Sequence, residues 1–375
     1  MTEFTRGDAM LWGSFVADAA TLGLHWVYDQ PRIREIAPQA PEFLAPRADH
    51  YAGIPGFFAH GTRSAGDLSQ YGEQHLVMLQ SLAACGGYNR ADYQARFRAH
   101  FGYGGAYVGY IDRPTRDTLD TMTALEKDAL LRSRAVDPSV DDYTHGMMVT
   151  KVLANMAQHS GARLRAEIES AVRETHDDDQ MVAYAQKVAA TVAENFDYPG
   201  ADDMQLPALS KLPALVVRHA GDDALMQHVA DAVRVTNNNE TAVAFAQTTA
   251  TLLRAVLETG ALPDLHALID DAAPVVKSSI SAALARTHEP TEAVTAEIGM
   301  SCNLDLGVPS LFHCLATTEG YTAGVRTNIY AGGDNCGRAI VLGAVLGGMY
   351  GVPDAWIARL TQRDMIRQTI AQFRA

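Results

Sequence analysis

The sequence has few cysteines, no long apolar run and a shortage of positive charge, and each absence excludes a class of protein. Its four cysteines, at positions 85, 302, 314 and 336, form no CxxC pair, which argues against a zinc knuckle or a disulfide framework. The longest apolar run, residues 339–352, has 14 residues and is too short to cross a bilayer. With 30 basic against 44 acidic residues the net charge is −14, which is unfavourable for a nucleic-acid or anionic-membrane surface.

The rest of the composition is typical of a folded domain. The 375 residues are 47% hydrophobic, enough to bury a substantial core. The first residues carry no signal-peptide pattern, so we expect a cytoplasmic, reducing environment. Because the sequence shows no internal repeat and no clear linker, we predict a single domain over residues 1–375.

The most informative stretch is residues 330–350, YAGGDNCGRAIVLGAVLGGMY. It opens with two glycines, which allow the backbone to make a tight turn. Asp334 then stands where the first free N–H groups of a helix point, a position that favours an anion. The helix that follows is apolar almost all round and should be buried. Gly343, Gly347 and Gly351 recur every four residues, so we expect one face of this helix to lie close against another helix.

This stretch resembles the C-terminal signature of the ADP-ribosylglycohydrolase family, G-G-D-x-D-T/S followed by a small, apolar helix that ends near Y-G. Gly332, Gly333 and Asp334 match the signature. The second aspartate of the signature is Cys336 here, and its Thr or Ser is Gly337. The glycine turn, the first aspartate and the helix therefore match the signature, whereas the second aspartate and the Thr or Ser do not.

Residues 7–24 have the apolar spacing of a helix and resemble the opening motif of the same family. Asp18 matches the aspartate of that motif. The acidic residue that follows, a metal or substrate contact in the family, falls on His25, and Tyr28 and Asp29 come just after it. A lone histidine at a helix end is equally typical of a capping or core residue.

Residues 30–66 are rich in proline and glycine, which predicts an irregular segment. Long irregular segments in compact folds are often functional. Phe57, Phe58 and His60 are therefore candidates to line the mouth of a pocket.

Residues 69–82 predict a helix whose start corresponds to T-D-D-T in the family. The register places Ser69, Gln70, Tyr71 and Gly72 on those four positions, so both aspartates are absent. Glu73 lies one helical turn beyond Ser69 and could supply a carboxylate. The alternative for Ser69 is an ordinary N-cap, completed by the nearby Glu73 in a pattern like that of a capping box.

Two further stretches carry weaker signals. Residues 110–114, YIDRP, are typical of a helix start, with proline in the first turn. Residues 206–260 resemble the family segment in which Thr-His leads into an Ala-rich helix, and the histidine becomes Asn237 here. Asn239 fits a helix cap better than a ligand contact, and His313, inside an apolar helix, is interpreted as a core histidine.

The resemblance implies that members with the full pattern hold two Mg²⁺ ions with the T-D-D and D-x-D-T/S clusters. In this sequence the acidic positions are His25, Gln70, Tyr71 and Cys336, and Asp334 is the only matched ligand. One carboxylate cannot neutralise two dications, and a thiolate is too soft a ligand for magnesium. We therefore expect no cofactor; magnesium remains possible but is disfavoured.

The resemblance also implies that these motifs converge on one pocket for a small-molecule substrate. Its catalytic candidates are Asp334, Glu73, His25 and Cys336. Its substrate-binding candidates are Ser69, Gln70, Tyr71, Tyr28, Asn335, Arg338 and Asn237. Cys336 is a conceivable nucleophile because a helix N-terminus lowers the pKa of a thiol; alternatively it is a small packing residue under the glycine turn.

The chain is most similar to the branch of the family that includes the jellyfish J1 crystallins. This similarity implies an all-α fold, a compact orthogonal multi-helix domain. We expect a hydrolase that acts on a glycosidic or related C–N bond of a small polar substrate, for which a ribosyl compound is one candidate, without the usual dinuclear magnesium. The alternatives are a non-catalytic crystallin-like ligand-binding protein and a Cys336-dependent hydrolase or transferase. Nothing in the sequence indicates the oligomeric state.

Overall fold

The computed structural model describes residues 5–102, 104–134, 137–156, 161–193 and 198–375. Over these residues the secondary structure is 19 α-helices with three short 3-10 helices at Leu22–Leu24, Ala48–Tyr51 and Leu206–Leu209, and the β pairing is limited to isolated bridges. The predicted all-α fold is confirmed. In chain order the helices are α1 (Arg6–Thr21), α2 (Gln30–Ile36), α3 (Gln70–Cys85), α4 (Arg90–Phe101), α5 (Arg113–Ser133), α6 (Asp142–Met156), α7 (Gly161–Arg173), α8 (Asp179–Ala193), α9 (Leu212–His219), α10 (Leu225–Arg234), α11 (Glu240–Thr259), α12 (Leu265–Leu268), α13 (Pro274–Leu284), α14 (Thr291–Ile298), α15 (Leu304–Thr317), α16 (Tyr321–Ala331), α17 (Asn335–Tyr350), α18 (Asp354–Ile357) and α19 (Arg363–Arg374).

The packing of α1 against α17 is the centre of the fold. A Cβ atom on Gly343 would lie 2.2 Å from the carbonyl oxygen of Gly13, and one on Gly347 would lie 2.3 Å from the carbonyl oxygen of Ala9. These two helices can approach so closely only because both carry small residues at the contact. The prediction of a small face on α17 is confirmed for Gly343 and Gly347.

Gly351 does not belong to that face. It has a φ angle of +75° and ends α17, and a Cβ atom there would meet nothing within 4 Å. Its backbone N–H donates to the carbonyl oxygen of Gly347, as is usual for a glycine that terminates a helix. The three glycines at four-residue spacing therefore have two different roles: Gly343 and Gly347 allow close packing, and Gly351 ends the helix.

Residues 30–66 contain more regular structure than the sequence predicted. They form α2 and the 3-10 helix Ala48–Tyr51, and the remainder is irregular. Pro31 lies in the first turn of α2, where its missing N–H costs nothing, and Asp29 caps the helix by accepting from the N–H of Arg32. A proline-rich stretch can thus begin a helix as well as prevent one.

Most helices share one hydrophobic core, while α6, α7 and α8 surround a second, smaller one. The smaller core contains Met148, Val152, Ile168, Val172 and Val188, all fully buried. The single-domain assignment stays a prediction. None of the described helices is both long and apolar enough to span a membrane.

Candidate functional site

The glycine turn before α17 fixes the position of Asp334. Gly332 and Gly333 have φ angles of +74° and +62°, and a Cβ atom on Gly333 would lie 2.2 Å from the carbonyl oxygen of Met300. Gly333 exchanges backbone hydrogen bonds with the 26–27 segment, to Val27 at 2.8 Å and from Trp26 at 2.9 Å. This pairing brings the residue before Trp26, His25, next to the residue after Gly333, Asp334.

Asp334 caps α17 and is the middle of a buried hydrogen-bonded chain of four side chains. Its Oδ1 accepts the N–H of Gly337 and lies 3.0 Å from Nε2 of His25, while its Oδ2 accepts the hydroxyl of Tyr71 at 2.7 Å. Nδ1 of His25 in turn lies 2.6 Å from Nε2 of His60. We call this arrangement, Tyr71–Asp334–His25–His60, the polar chain. Each member is at most 1% exposed.

The polar chain fixes the charge of three of its members. Burial alone would raise the pKa of Asp334, but the hydrogen bonds from His25, Tyr71 and the Gly337 N–H hold it below its ordinary value. Burial, followed by the charge of Asp334, raises the pKa of Tyr71 well above its ordinary value. Burial, followed by the neighbouring His25 and Arg63, lowers the pKa of His60 well below its ordinary value. Near neutral pH Asp334 is therefore a carboxylate, Tyr71 a phenol and His60 an uncharged imidazole.

Ser69 stands next to the polar chain as the N-cap of α3, and this predicted cap is confirmed. Its Oγ accepts the N–H of Tyr71 at 3.1 Å. The capping box with Glu73 is wrong, because the backbone N–H of Ser69 donates to Oδ2 of Asp18 at 2.8 Å, and its hydroxyl donates to Oδ1 of Asp18. Burial raises the pKa of Asp18 to about 7, although the hydrogen bonds from Ser69 counteract this.

Gln70 lies at the first position of α3 and contacts the start of α5. Its Oε1 accepts the backbone N–H of Asp112 at 2.6 Å, and Oδ1 of Asp112 caps α5 by accepting the N–H of Thr115 at 2.7 Å. Two buried atoms at this junction, Nε2 of Gln70 and Oδ2 of Asp112, have no hydrogen-bond partner. The predicted helix start at residues 110–114 is confirmed, but its contact with Gln70 was not predicted.

Partly exposed residues lie over the buried polar chain. Tyr28, Tyr110 and Cys302 are half-buried. Burial and then the charge of Asp334 raise the pKa of Tyr28 above its ordinary value, and the same two effects raise that of Cys302 to about 12. Both of these partly exposed side chains are thus within electrostatic range of Asp334.

Of the predicted pocket-mouth residues, Phe57 lies at the surface and His60 does not. Phe57 is 55% exposed, and its ring centre lies 5.8 Å from those of Trp26 and Tyr110. Phe58 packs on Tyr51 at 5.6 Å. His60 is instead a buried member of the polar chain.

Cys336 does not have the lowered pKa that its place at a helix N-terminus predicted. The thiol is fully buried, and burial followed by the charges of Asp18 and Asp334 raises its pKa well above its ordinary value. Its Sγ lies 4.0 Å from the carbonyl oxygen of Asp18, and the hydrogen bonds of His25 go to Asp334 and His60. A pKa-lowered Cys–His–Asp arrangement is therefore not present at these residues.

The carboxylate of Glu73 points to other partners than the polar chain. It accepts from His100 Nε2 at 2.9 Å and from Gln362 Nε2 at 2.7 Å, and Arg63 lies 3.6 Å away. These contacts join α3 to α4 and to the start of α19. The structure does not bring Glu73 into contact with Asp334, His25 or Tyr71.

Asn335 and Arg338 support the turn from within α17. Arg338 is 1% exposed; its Nη2 donates to the carbonyl oxygen of Gly332 at 2.6 Å and its Nε to Oδ1 of Asn328 at 2.8 Å. Asn335 donates to the carbonyl oxygen of Leu24 at 3.3 Å. These bonds join the ends of α16 and α17 to the segment before His25, so both residues position the polar chain.

Asn237 is buried just before α11, and its side-chain amide hydrogen-bonds to Asp203 and Thr236 rather than to the polar chain. Its Nδ2 donates to the carbonyl oxygen of Asp203 at 3.3 Å, and its Oδ1 accepts the hydroxyl of Thr236 at 2.8 Å. Thr236 also accepts from the fully buried ammonium of Lys211. Asn239 caps α11 through the N–H groups of Thr241 and Ala242, as predicted.

His313, interpreted as a core histidine, is confirmed as one. It is fully buried. Its Nδ1 is 2.9 Å from the hydroxyl of Thr291 and its Nε2 is 3.0 Å from the carbonyl oxygen of Arg286.

One group of metal-ligating residue types lies away from the polar chain. Among the described residues, His219, Asp222 and His228 bring three potential ligand atoms within 4.8 Å of one another. However, Nε2 of His219 accepts the backbone N–H of Tyr88 at 3.0 Å, so a neutral His219 carries its proton on Nδ1, the atom that faces Asp222 at 3.3 Å. That atom is then a donor to Asp222 and has no lone pair for a metal.

The chain matches a family model described as ADP-ribosylglycohydrolase over residues 2–214 and 204–375. It is 27% identical over 377 residues to crystallin J1A of Tripedalia cystophora, with 98% of this chain and 96% of the crystallin covered. It is 25% identical over 380 residues to crystallin J1B of the same organism, with the same coverage. Among solved structures it is similar to a chain described as ADP-ribosylglycohydrolase-related protein complex, with a TM-score of 0.60, 16% identity and 98% of each chain covered. At that identity the structural likeness shows the fold alone.

Proposed function

The chain belongs to the ADP-ribosylglycohydrolase family, and from this premise we propose that it hydrolyses a glycosidic or related C–N bond of a small polar substrate without a dinuclear magnesium centre. The match over the whole chain confirms the resemblance predicted from the glycine turn and the Asp18 motif, and it supports a hydrolase-like fold. The bond, the substrate and the metal-free chemistry are our proposal.

The donor set at the motif positions does not fit two Mg²⁺ ions. Both oxygens of Asp334 already accept hydrogen bonds, from His25 and Gly337 on one side and Tyr71 on the other. Oε1 of Gln70 is taken by Asp112, and Cys336 is a protonated thiol at neutral pH because its pKa is raised. Magnesium requires several free oxygen ligands in near-octahedral geometry, and these residues do not offer them. We therefore derive no step through a metal.

The observation that carries the proposal is the polar chain itself. A hydrogen-bonded carboxylate, phenol and imidazole, from Asp334, Tyr71 and His25, occupy positions that the resemblance assigns to metal ligands, and the imidazole of His60 extends this arrangement. Buried polar groups are costly unless they are paired, and a merely packed helix junction would be better stabilised by apolar side chains. Retaining four polar groups here is consistent with a chemical role.

In the reaction we propose, Asp334 accepts a proton from water through the hydroxyl of Tyr71. The phenol takes the proton of the water molecule while passing its own proton to Oδ2 of Asp334, so Tyr71 is never ionised, in agreement with its raised pKa. The water oxygen bonds to the anomeric carbon as the bond to the leaving group breaks, and the proton returns by the same route to the leaving group. A weak base suffices, because an oxocarbenium-like carbon is strongly electrophilic.

His25 and His60 would hold Asp334 in place for this transfer. The hydrogen bond from Nε2 of His25 occupies Oδ1 of Asp334, which leaves Oδ2 to Tyr71. His25 would also stabilise Asp334 as its protonation changes. The carboxylate of Glu73 is bound by His100 and Gln362 rather than by the polar chain. Glu73 can therefore act as the base only for a substrate that contacts it away from Asp334.

A second candidate is a ligand-binding or structural protein without catalysis. The observation that favours it is the similarity to two J1 crystallins over nearly the whole chain. This alternative predicts that replacing Asp334 by Asn leaves ligand affinity nearly unchanged.

The test is turnover of a panel of N- and O-ribosides by protein treated with a chelator, followed by the same assay with added Mg²⁺. We expect hydrolysis in the chelated sample, no stimulation by magnesium, and a loss of at least about 100-fold in Asp334→Asn, the order expected for removing a catalytic proton acceptor. Asp354→Asn, an exposed acid at the start of α18, is the matched control and should retain full activity. Absence of turnover across the panel would favour the non-catalytic alternative, and strict dependence on magnesium would contradict the metal-free mechanism.

A further inference from the structure

The junction of α3 and α5 contains one buried acceptor atom and one buried donor atom without a hydrogen-bond partner. Asp112 is 2% exposed and Gln70 is fully buried, yet Oδ2 of Asp112 and Nε2 of Gln70 have no partner. Because Oε1 of Gln70 accepts the backbone N–H of Asp112, its Nε2 lies beside the same turn. Buried polar atoms are rarely left unpaired, and a pair of them on adjacent side chains points to a ligand.

The surroundings of this junction are acidic. Burial, and then the charges of Asp203 and Asp334, raise the pKa of Asp112 to about 6, partly offset by the hydrogen bonds of Thr115. Burial, followed by the charges of Asp334, Asp112 and Asp203, raises the pKa of the half-buried Cys302 as well. Three carboxylates are thus within electrostatic range of one partly exposed side chain.

The basic groups near these carboxylates are already engaged. Arg113 is paired with Asp203 at 2.9 Å. Arg338, within electrostatic range of Asp334, is held by Asn328 and the Gly332 carbonyl. Burial lowers the pKa of Lys211 to about 7, although the nearby Asp112 counteracts this, and its ammonium donates to Thr236. Although Lys211 is within electrostatic range of Asp112, none of the three donates a hydrogen bond to the free oxygen of Asp112.

The helix N-termini at this site are also occupied. A helix N-terminus is a common binding site for phosphate, but Asp112 caps α5, Asp334 caps α17 and Ser69 caps α3. Two of these caps are carboxylates. A diphosphate would have to displace a cap and approach like charges, which is unfavourable.

Three aromatic side chains, Trp26, Phe57 and Tyr110, pack together, and Tyr110 is two residues before Asp112. We call these three residues the aromatic wall. The ring centre of Tyr110 lies 5.0 Å from that of Trp26 and 5.8 Å from that of Phe57. Aromatic faces attract cations, and Arg116 already lies over Tyr110 at 5.7 Å. Because Arg116 already covers the ring of Tyr110, it is the rings of Trp26 and Phe57 that suit an ammonium group better than an anion.

We propose that the substrate of this site is a phosphate-free glycoside that carries a protonated amino group, bound by Oδ2 of Asp112 with Nε2 of Gln70 donating to a neighbouring hydroxyl or carbonyl oxygen of the substrate. This inference rests on the hydrolase function proposed above and adds the substrate class. A carboxylate oxygen can only accept hydrogen bonds, so the group that reaches it must be a donor, and the neighbouring carboxylates make a charged donor the better one.

A matched pair of probes tests this directly: a 2-aminoethyl riboside and the corresponding 2-hydroxyethyl riboside, with ADP-ribose as the anionic comparison. By calorimetric titration we expect the amine to bind at least about tenfold more tightly than the alcohol, the usual advantage of a hydrogen bond to a charged group. ADP-ribose should bind more weakly than both. Asp112→Asn should abolish the preference for the amine, whereas Asp117→Asn, an exposed acid one turn into the same helix, should keep it.

The Asn variant suits this test because Asn caps helices as well as Asp does, and an unchanged melting temperature checks that α5 is intact. Equal affinity for the amine and the alcohol, or tighter binding of ADP-ribose, would overturn the proposed substrate class while leaving the hydrolase in place. Asp112-dependent binding of the amine without cleavage of either riboside would support the ligand class and reject the hydrolase.

The pH dependence gives a second readout. Because the pKa of Asp112 is raised to about 6, the carboxylate is lost as the pH falls through that value, and the affinity for the amine should fall with it. Six other titratable groups lie within electrostatic range of Asp112, namely Lys211, Asp203, Asp334, Tyr71, Tyr110 and Cys302. The comparison with Asp112→Asn therefore isolates the contribution of Asp112 to the pH dependence. We expect KM for the aminoethyl riboside to rise below pH 6 in the unmodified protein while kcat stays constant. A pH-independent KM would contradict the role of Asp112.

Discussion

The imidazole rings of His25 and His60 share a buried hydrogen bond, with Nδ1 of His25 2.6 Å from Nε2 of His60. Since Asp334 is a carboxylate, Nε2 of His25 carries the proton that lies between them. In a neutral His25, Nδ1 is then an acceptor, and Nε2 of His60 is the donor. The negative charge of Asp334 therefore sets the direction of hydrogen-bond donation, which runs from His60 to His25 to Asp334. Nδ1 of His60 is left as an acceptor, and it has no hydrogen-bond partner.

Replacing His60 tests whether it positions His25. His60→Ala removes the donor to Nδ1 of His25, so the ring loses its fixed orientation, and we expect kcat to fall by about tenfold, the low end of the effects of lost supporting hydrogen bonds. His60→Gln retains an N–H donor and should restore part of the rate. A purely structural role would lower the melting temperature in both variants without separating their rates, and it would leave the pH profile of kcat unchanged.

Tyr71→Phe tests the other end of the polar chain. The variant leaves Oδ2 of Asp334 unpaired in a buried site, which should cost about 1–3 kcal/mol of unfolding free energy, and it removes the proton relay that we propose for catalysis. We expect kcat to fall by about 100-fold, comparable to the loss of general acid–base assistance. Tyr93→Phe is the matched control, because Tyr93 is equally buried and its hydroxyl has no partner. If Tyr71→Phe keeps full activity, the relay is wrong.

The thiol of Cys336 should be unreactive in the folded protein. It is fully buried and its pKa is raised, and thiolate character together with access controls the rate of alkylation. Under native conditions iodoacetamide should modify the exposed Cys85 and leave Cys336 unmodified until the chain is unfolded, as read by peptide mass spectrometry. Cys336→Ala should keep full activity. Rapid native labelling of Cys336, or loss of activity in this variant with an unchanged fold, would revive the thiol-dependent alternative.

Gly343→Ala should destabilise the protein through the contact of α1 with α17. The new Cβ atom would meet the backbone of Gly13 at 2.2 Å, so the two helices must separate, at a cost of about 3 kcal/mol or more for overpacking against backbone. Gly146→Ala is the control: Gly146 lies inside α6, and a Cβ atom there meets nothing within 4 Å. We expect that change to stabilise by roughly 0.5–1 kcal/mol. Urea unfolding of the two variants checks both signs.

The sequence predicted the helices and their caps well, because these depend on local pattern. The buried helix after Asp334, the caps at Ser69 and Asn239 and the helix start before Arg113 all follow from side chains within a few residues of each other. Family resemblance then placed Asp334, His25 and Tyr71 near one another, and the structure shows them in direct contact.

The contacts that complete the site were not predictable in the same way. His60 lies in an irregular segment without periodicity, so nothing local relates it to His25, 35 positions away. The contact of Gln70 with Asp112 likewise depends on how α3 packs beside α5. For Cys336 the sequence leaves a reactive thiol and a small packing residue open, because the pKa-lowering effect of a helix N-terminus is local. Burial, which is larger here and raises the pKa, depends on the whole fold.

Lys211 provides a prediction that concerns stability alone. Burial lowers the pKa of its ammonium from 10.5 to about 7, so between those values the unfolded chain holds one proton more than the folded chain. Stability therefore rises with pH across this window, by at most about 1.4 kcal/mol per unit. Lys211→Met removes the group and its contribution, and urea unfolding at pH 7 and pH 9 should show a larger gain for the unmodified protein than for the variant. The control is Lys277→Met, because Lys277 is exposed, and its gain in stability between pH 7 and pH 9 should equal that of the unmodified protein. If the unmodified protein and both variants show the same pH dependence of stability, Lys211 titrates normally in the folded state.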